Sequence, residues 1–383
     1  KEMKAKLMAC ALAAVHIPFW CSGGSVIEYF LSSTLLSVAN DHLFTRIVSR
    51  KMSEHVPHGD VVRYGPSPRQ KMEVFRPHTV SSKNGHPVLF YFHGGAFLIG
   101  GRQFGNGIAA WAAQNGMVGI SVGYTLANDA RWKGTKTALG DALDAIRYVH
   151  DRHEDFGIRA PQTILMGESA GGAIALMASH ALMNQGVTVA ATVCSWSMTT
   201  LDARYYIPMK IGAQWRETSP ESIAASPSAI VGMNATQEDL KRNLAGFGMY
   251  GRRARGWLAA RYSPHGRFVI PSVGRMPPTL LLCAERDRIT PFVQQQMFAD
   301  SMPWNIELAM FESSDHGEGA MYSSAGRLHT HQFLKRHVRG LRRSVDKLGE
   351  SYVDAQTTAL GLQPHKFTRR FWPCRGKVSF KRV

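Results

Sequence analysis

Cysteine is scarce in this 383-residue chain. Its five cysteines (Cys10, Cys21, Cys194, Cys283, Cys374) are scattered, with no CxxC pair, so neither a disulfide framework nor a zinc site is indicated. Long apolar runs are missing too. No uncharged hydrophobic stretch of ~18 residues occurs, which argues against an ordinary bundle of membrane-spanning helices. There is no G-X-Y period, heptad array, internal repeat or low-complexity tract, so collagen and coiled coil are excluded. Acidic residues are in short supply, 28 Asp and Glu against 45 Lys and Arg, for a net charge of +17. What is plentiful is core material: 44% hydrophobic and 10% aromatic residues rule out wholesale disorder. On its own, the positive excess fits a nucleic-acid, membrane or acidic partner, or merely a solvated surface.

The N-terminus has two readings. Lys1, Lys4 and Lys6 precede Leu7–Cys21, an apolar stretch broken only by His16 and Pro18. That is a signal-peptide pattern without a clear A-x-A cleavage site. The alternative is a helix packed on the domain, with a second around Ser25–Arg50. Residues 1–60 are therefore read as a leader or as cap helices, and cytoplasmic and secreted locations both stay open.

From about Val61 short apolar runs alternate with amphipathic stretches. Val88–Phe92, Val118–Val122, Thr163–Met166, Val189–Cys194, Thr279–Ala284 and Ile306–Phe311 read as buried strands. Between them, Ala138–His150 carries Leu139, Leu143, Ile146 and Val149 on one helical face, and Ala170–Met183 and Phe292–Ser301 are further helices. Near-continuous hydrophobic strands alternating with helices predict an α/β fold with a mainly parallel sheet covered on both faces. One domain is assigned to residues 61–197 and 266–340. Residues 198–265 form an insertion with Trp215, Met233, Met249, Tyr250 and Trp257, too long for an ordinary connection. Residues 341–383 are basic, show no strand pattern and read as an extension.

The chemistry concentrates in Gly167-Glu168-Ser169-Ala170-Gly171-Gly172, a G-x-S-x-G sequence between a strand and a helix. A serine on such a turn is held in strained backbone with its Oγ above the sheet edge, and the flanking glycines leave room for the turn. The helix N-terminus beneath it favours negative charge. His93-Gly94-Gly95-Ala96 follows the Val88–Phe92 strand directly, as a loop of oxyanion donors would. The expected donors are the N–H groups of Gly94, Gly95 and Ala170, with His93 orienting the loop. A serine nucleophile needs a base, and the base an orienting acid, in the chain order Ser, acid, His. His316 follows the Ile306–Phe311 strand and is the expected base among sixteen histidines. Asp287, just beyond the Thr279–Ala284 strand, is the favoured acid, with Glu285 and Asp315 as rivals.

These features resemble the hormone-sensitive-lipase-like branch of the α/β-hydrolases, from roughly Tyr64 to His337. The resemblance rests on the His93-Gly-Gly loop, Tyr124-Thr-Leu-Ala127, Gly140-Asp141-Ala142, the Gly167–Gly172 motif, Met276-Pro-Pro-Thr-Leu280 and His316-Gly317. It implies an α/β-hydrolase fold, serine esterase or lipase activity on carboxylic esters, and a helical cap built from N-terminal residues and the 198–265 insertion. Ala96 stands in place of a third glycine and Glu168 where Asp is commoner. The Tyr124 segment lacks the Arg and Pro-Glu usual in relatives.

The expected activity is hydrolysis of short- to medium-chain esters through Ser169, His316 and Asp287, with no cofactor and no metal. An amidase or arylformamidase on the same machinery is the alternative, and a non-catalytic small-molecule receptor a more distant one. Mapping the charge removes the nucleic-acid reading. Residues 327–383 hold 14 Lys and Arg against 3 Asp and Glu, residues 241–275 hold 8 against none, and the rest of the chain is close to neutral. No nucleic-acid module accompanies these patches. Membrane contact and oligomeric state stay open.

Overall fold

A strand with apolar residues on both faces is stable only where both faces are covered. The computed structural model shows that cover. It describes residues 50, 54–77, 85–200, 269–341, 347–360 and 379–382, except positions 96, 98, 127, 128, 271, 286, 288, 289, 291, 313, 315 and 340. The strands are β1 (Asp60–Arg63), β2 (Lys71–Phe75), β3 (His86–Phe92), β4 (Val118–Val122), β5 (Ile158–Glu168), β6 (Ala191–Ser195), β7 (Thr279–Ala284), β8 (Ile306–Phe311) and β9 (Ser379–Arg382). They form one sheet in the order β1-β2-β4-β3-β5-β6-β7-β8-β9. β2 pairs antiparallel with both β1 and β4, and every other pairing is parallel.

The described helices are α1 (Asn106–Gln114), α2 (Thr135–His150), α3 (His153–Phe156), α4 (Ala170–Asn184), α5 (Phe292–Ser301), α6 (Ser324–His337) and α7 (Lys347–Ala359). The period-2 alternation of β3 sorts its side chains between two cores. Val88, Phe90 and Phe92 join Leu139 and Ile146 of α2, Ile174 of α4 and Phe298 of α5. Leu89 and Tyr91 join Trp111 of α1, Phe333 of α6 and Val353 of α7 on the opposite face. Cys194 and Cys283, on neighbouring strands, are buried free thiols.

Each predicted strand is present, β5 being longer than expected. The C-terminal segment departs from expectation. It is not a mere extension, because β9 pairs in parallel with β8, Leu308 opposite Phe380, and α7 packs on α1. A four-residue edge strand has an open flank and is defined by backbone pairing, so it needs no apolar run. Among the described parts of the N-terminal and insertion segments are only residues 50, 54–60 and 198–200. The expected cap, with Trp215, Met233, Met249, Tyr250 and Trp257, lies outside the described residues.

The strand order reverses between β3 and β5. The connection after β3 crosses to β4 on one side, and that after β5 to β6 on the other. At such a point the loops beyond the strand C-termini part and leave a crevice. The oxyanion loop candidate follows β3 and the G-x-S-x-G turn follows β5, so both open into it.

Candidate active site

Ser169 joins β5 to α4 with φ 51° and ψ −118°, a conformation costly for a residue with a Cβ. The surrounding backbone holds it there. Its N–H donates to the Ser195 carbonyl at 2.9 Å, and its own carbonyl accepts the N–H groups of Gly172 (3.1 Å) and Met198 (3.2 Å). The flanking glycines are steric necessities. A Cβ on Gly167 would lie 2.2 Å from the Gly171 oxygen, and one on Gly171 would lie 2.0 Å from the Phe92 oxygen. Gly171→Ala is therefore expected to destabilise the fold by ~1–3 kcal/mol or more, since backbone rather than a movable side chain blocks the methyl. A thermal melt unchanged from wild type would contradict that close approach.

Positive φ outside glycine is itself concentrated here. Among the described residues it occurs at Phe97, Ser169, Trp196 and Ala320, which follow β3, β5, β6 and β8. Strain of this kind persists where surrounding structure over-determines the backbone, often at functional sites.

The loop after β3 lies against the elbow. His93 is fully buried and stacks on Tyr124 with ring centroids 4.3 Å apart, while its carbonyl accepts the Tyr124 hydroxyl at 2.7 Å. The histidine thus anchors the loop, as expected. The Tyr124 segment, despite its missing Arg and Pro-Glu, is fastened from elsewhere. Asp141 on α2 accepts the Thr125 N–H at 2.7 Å and the Gln70 amide at 2.8 Å, and Arg131 donates to the Thr125 hydroxyl at 2.8 Å. Gly95 has φ 106°, and a Cβ there would sit 2.3 Å from the Ile99 oxygen, so only glycine fits. Ala96 lies outside the described residues.

Gly94 lies against Glu168, whose carboxylate its N–H helps to keep charged. A Cβ on Gly94 would lie 3.2 Å from Glu168 Cγ and 3.3 Å from Ser169 Cβ, a measure of how closely loop and elbow are apposed. Ala170 is the first residue of α4, and the first N–H groups of a helix have no intrahelical partner.

Beyond β7 and β8 the chain brings Asp287 and His316 together. His316 Nδ1 is 2.8 Å from Asp287 Oδ2, and the carboxylate is buried. So the acid that meets the imidazole is Asp287, not Glu285; Asp315 lies outside the described residues. Thr290 holds the carboxylate by both oxygens, its N–H donating to Oδ1 at 2.7 Å and its hydroxyl lying 2.8 Å from Oδ2. The same hydroxyl reaches the Trp196 carbonyl at 2.8 Å. A carboxylate on Nδ1 selects the tautomer with the proton there and leaves Nε2 as the acceptor. Trp196 links the parts. Its ring lies 5.8 Å from the His316 ring, and the residue before it, Ser195, accepts the Ser169 N–H.

Sequence reasoning passed over Thr290, Trp196 and the surroundings of Glu168. The Glu168 carboxylate is buried beneath the elbow and accepts the Tyr322 hydroxyl at 2.6 Å. Burial pushes its pKa up, against the lowering effect of the Tyr322 and Tyr91 hydroxyls, the Gly94 N–H and His316. Burial and the nearby Glu168 charge push the Tyr322 phenol well up in turn, so it remains a proton donor. Only the spacing of Thr290 from Asp287 could have hinted at any of these partners.

A family model described as the alpha/beta hydrolase fold matches residues 89–302, more than half of the chain. An ethyl acetate hydrolase of Pseudomonas putida is 32% identical over 115 residues, 30% of this chain and 35% of that protein. Esterase LipI of Mycobacterium tuberculosis is 27% identical over 143 residues, 37% of this chain and 44% of the other. The chain spans about half or less of the length of the curated relatives it matches. Among solved structures, a hyperthermophilic esterase from the archaeon Pyrobaculum calidifontis superposes with a TM-score of 0.55 at 19% identity, covering 81% of this chain and 96% of its own. At that identity the likeness is one of fold. The family match takes in the β3 loop, the serine elbow and Asp287, and on it the chain belongs to the alpha/beta hydrolase fold family.

Proposed function

We propose that the chain is a serine hydrolase of carboxylic esters with short to medium acyl chains. The observation that carries this reading is the buried Asp287–His316 pair at 2.8 Å, in a chain whose strained serine elbow lies at the switch point of the sheet. Two relatives, an ethyl acetate hydrolase and an esterase, support the substrate class.

The reading implies a mechanism of acyl transfer. Ser169 Oγ attacks the ester carbonyl as His316 Nε2 takes its proton, and Asp287 stabilises the resulting imidazolium. The negative charge on the carbonyl oxygen meets the N–H groups of Gly94, Gly95 and Ala170, with the N-terminus of α4 behind them. His316 Nε2–H then protonates the departing alkoxide, which leaves as the alcohol. Water repeats the sequence on the acyl-enzyme, giving the acid and free Ser169.

A fluorophosphonate probe tests the reading directly. Stoichiometric label on the peptide holding Ser169, with turnover of p-nitrophenyl acetate and butyrate, is the expected result. A folded protein that takes no label and cleaves neither ester would overturn it in favour of a receptor.

A further inference from the structure

The hydrogen bonds around Glu168 run out of the crevice and end on the C-terminal helix. They have a direction. α1 is preceded by Gly105, which gives no side-chain cap, and this leaves the Ile108 N–H, in the first turn, without an intrahelical acceptor. Gln356 of α7 supplies one, its Oε1 accepting that N–H at 3.0 Å. With the amide oxygen committed to α1, Nε2 faces the Tyr322 hydroxyl at 2.9 Å and donates to it. The single Tyr322 proton then goes to Glu168 Oε2 at 2.6 Å. Gln356 is fully buried and Tyr322 nearly so. The seat is tight, since a Cβ on Gly107 would lie 2.4 Å from the Tyr352 oxygen and 2.7 Å from Gln356 Cβ.

We propose that Gln356 and Tyr322 are positioning residues that hold the Glu168 side chain packed against Gly94, and with it the oxyanion loop against the serine elbow. The assignment rests on the esterase reading. It gives the C-terminal segment a role in catalysis without contact with substrate. Tyr322 is well placed for it, because it also stacks on Trp196 at 5.5 Å, the residue packed against His316.

A pH signature distinguishes this role from simple packing. The ionisable groups that face Glu168 are Tyr322, Tyr91 of β3, Tyr124 after β4, and His316. Burial raises Glu168, and the Tyr322 hydroxyl is foremost among the groups that lower it. Without that hydroxyl Glu168 takes up its proton at a higher pH. The protonated acid is a weaker acceptor for Gly94, so activity falls away earlier on the acid side.

The test uses the full chain and p-nitrophenyl butyrate, with Tyr322→Phe, Gln356→Met and Glu168→Gln singly and combined, each checked by thermal melt. Tyr322→Phe is expected to lower kcat on the order of 10-fold with KM nearly unchanged, and to move the acidic limb of kcat/KM up by about half a unit. Gln356→Met acts in the same direction. Because Tyr322→Phe leaves the Gln356–Ile108 bond in place, it stays informative if Gln356→Met folds poorly. On the Glu168→Gln background neither change has a further effect. The proposal is overturned if Tyr322→Phe leaves both kcat and the acidic limb in place, or if the effects multiply on that background. A wild-type protein that takes no fluorophosphonate at Ser169 would overturn the esterase reading and this assignment together. Labelled wild type with unresponsive variants overturns the assignment alone.

Discussion

Ser169→Ala is expected to reduce p-nitrophenyl butyrate turnover by a factor on the order of 10⁶, to a small residual over the uncatalysed rate. The loss is chemical rather than structural. Alanine has the same Cβ as serine, so it meets the same backbone at φ 51°. The hydrogen bonds that hold the elbow run through the main chain of residue 169 and survive the change. The melting temperature should therefore stay close to that of wild type, while the fluorophosphonate label disappears. What remains is what oxyanion donors and substrate binding supply without a nucleophile. A variant keeping a tenth of wild-type turnover would show that the ester is cleaved elsewhere.

Asp287→Asn should lower kcat on the order of 10⁴-fold, and the contacts of Thr290 explain why. The Thr290 N–H at 2.7 Å from Oδ1 requires an acceptor at that position. The asparagine oxygen takes it, and the amide NH2 is directed to the Oδ2 position, facing His316 Nδ1. Nδ1 must then accept, so its proton moves to Nε2, the atom that has to take the serine proton. The base is lost although every atom keeps its place. Kinetics at neutral pH with a melt for comparison measure this. Activity within tenfold of wild type would mean that another carboxylate orients His316. Asp287→Ala, which leaves no donor to force the tautomer, is a useful companion.

Much of the fold was legible because each parallel strand carries its own apolar run. Val88–Phe92 or Thr279–Ala284 can be recognised without reference to any neighbour. The elbow was legible for a similar reason, since all its steric demands fall within residues 167–172 and the strand just before them. Asp287 and His316 were reachable from their positions beyond two such strands. β9 was not, because its pairing with β8 is a matter of backbone bonds to a distant strand.

Read alone, the chain singles out the candidate nucleophile, the candidate loop beside it and the expected order of acid and base, because each rests on short-range spacing on strands that are individually recognisable. The three-dimensional arrangement alone shows which carboxylate meets His316, that Thr290 contacts both of its oxygens, and that Tyr322 donates to Glu168. It also shows that a helix within the basic C-terminal segment reaches Tyr322, the partner of Glu168, through Gln356. Those choices depend on hydrogen-bond directions between groups far apart in the chain, and a direction of that kind exists only once the sheet has brought the groups together.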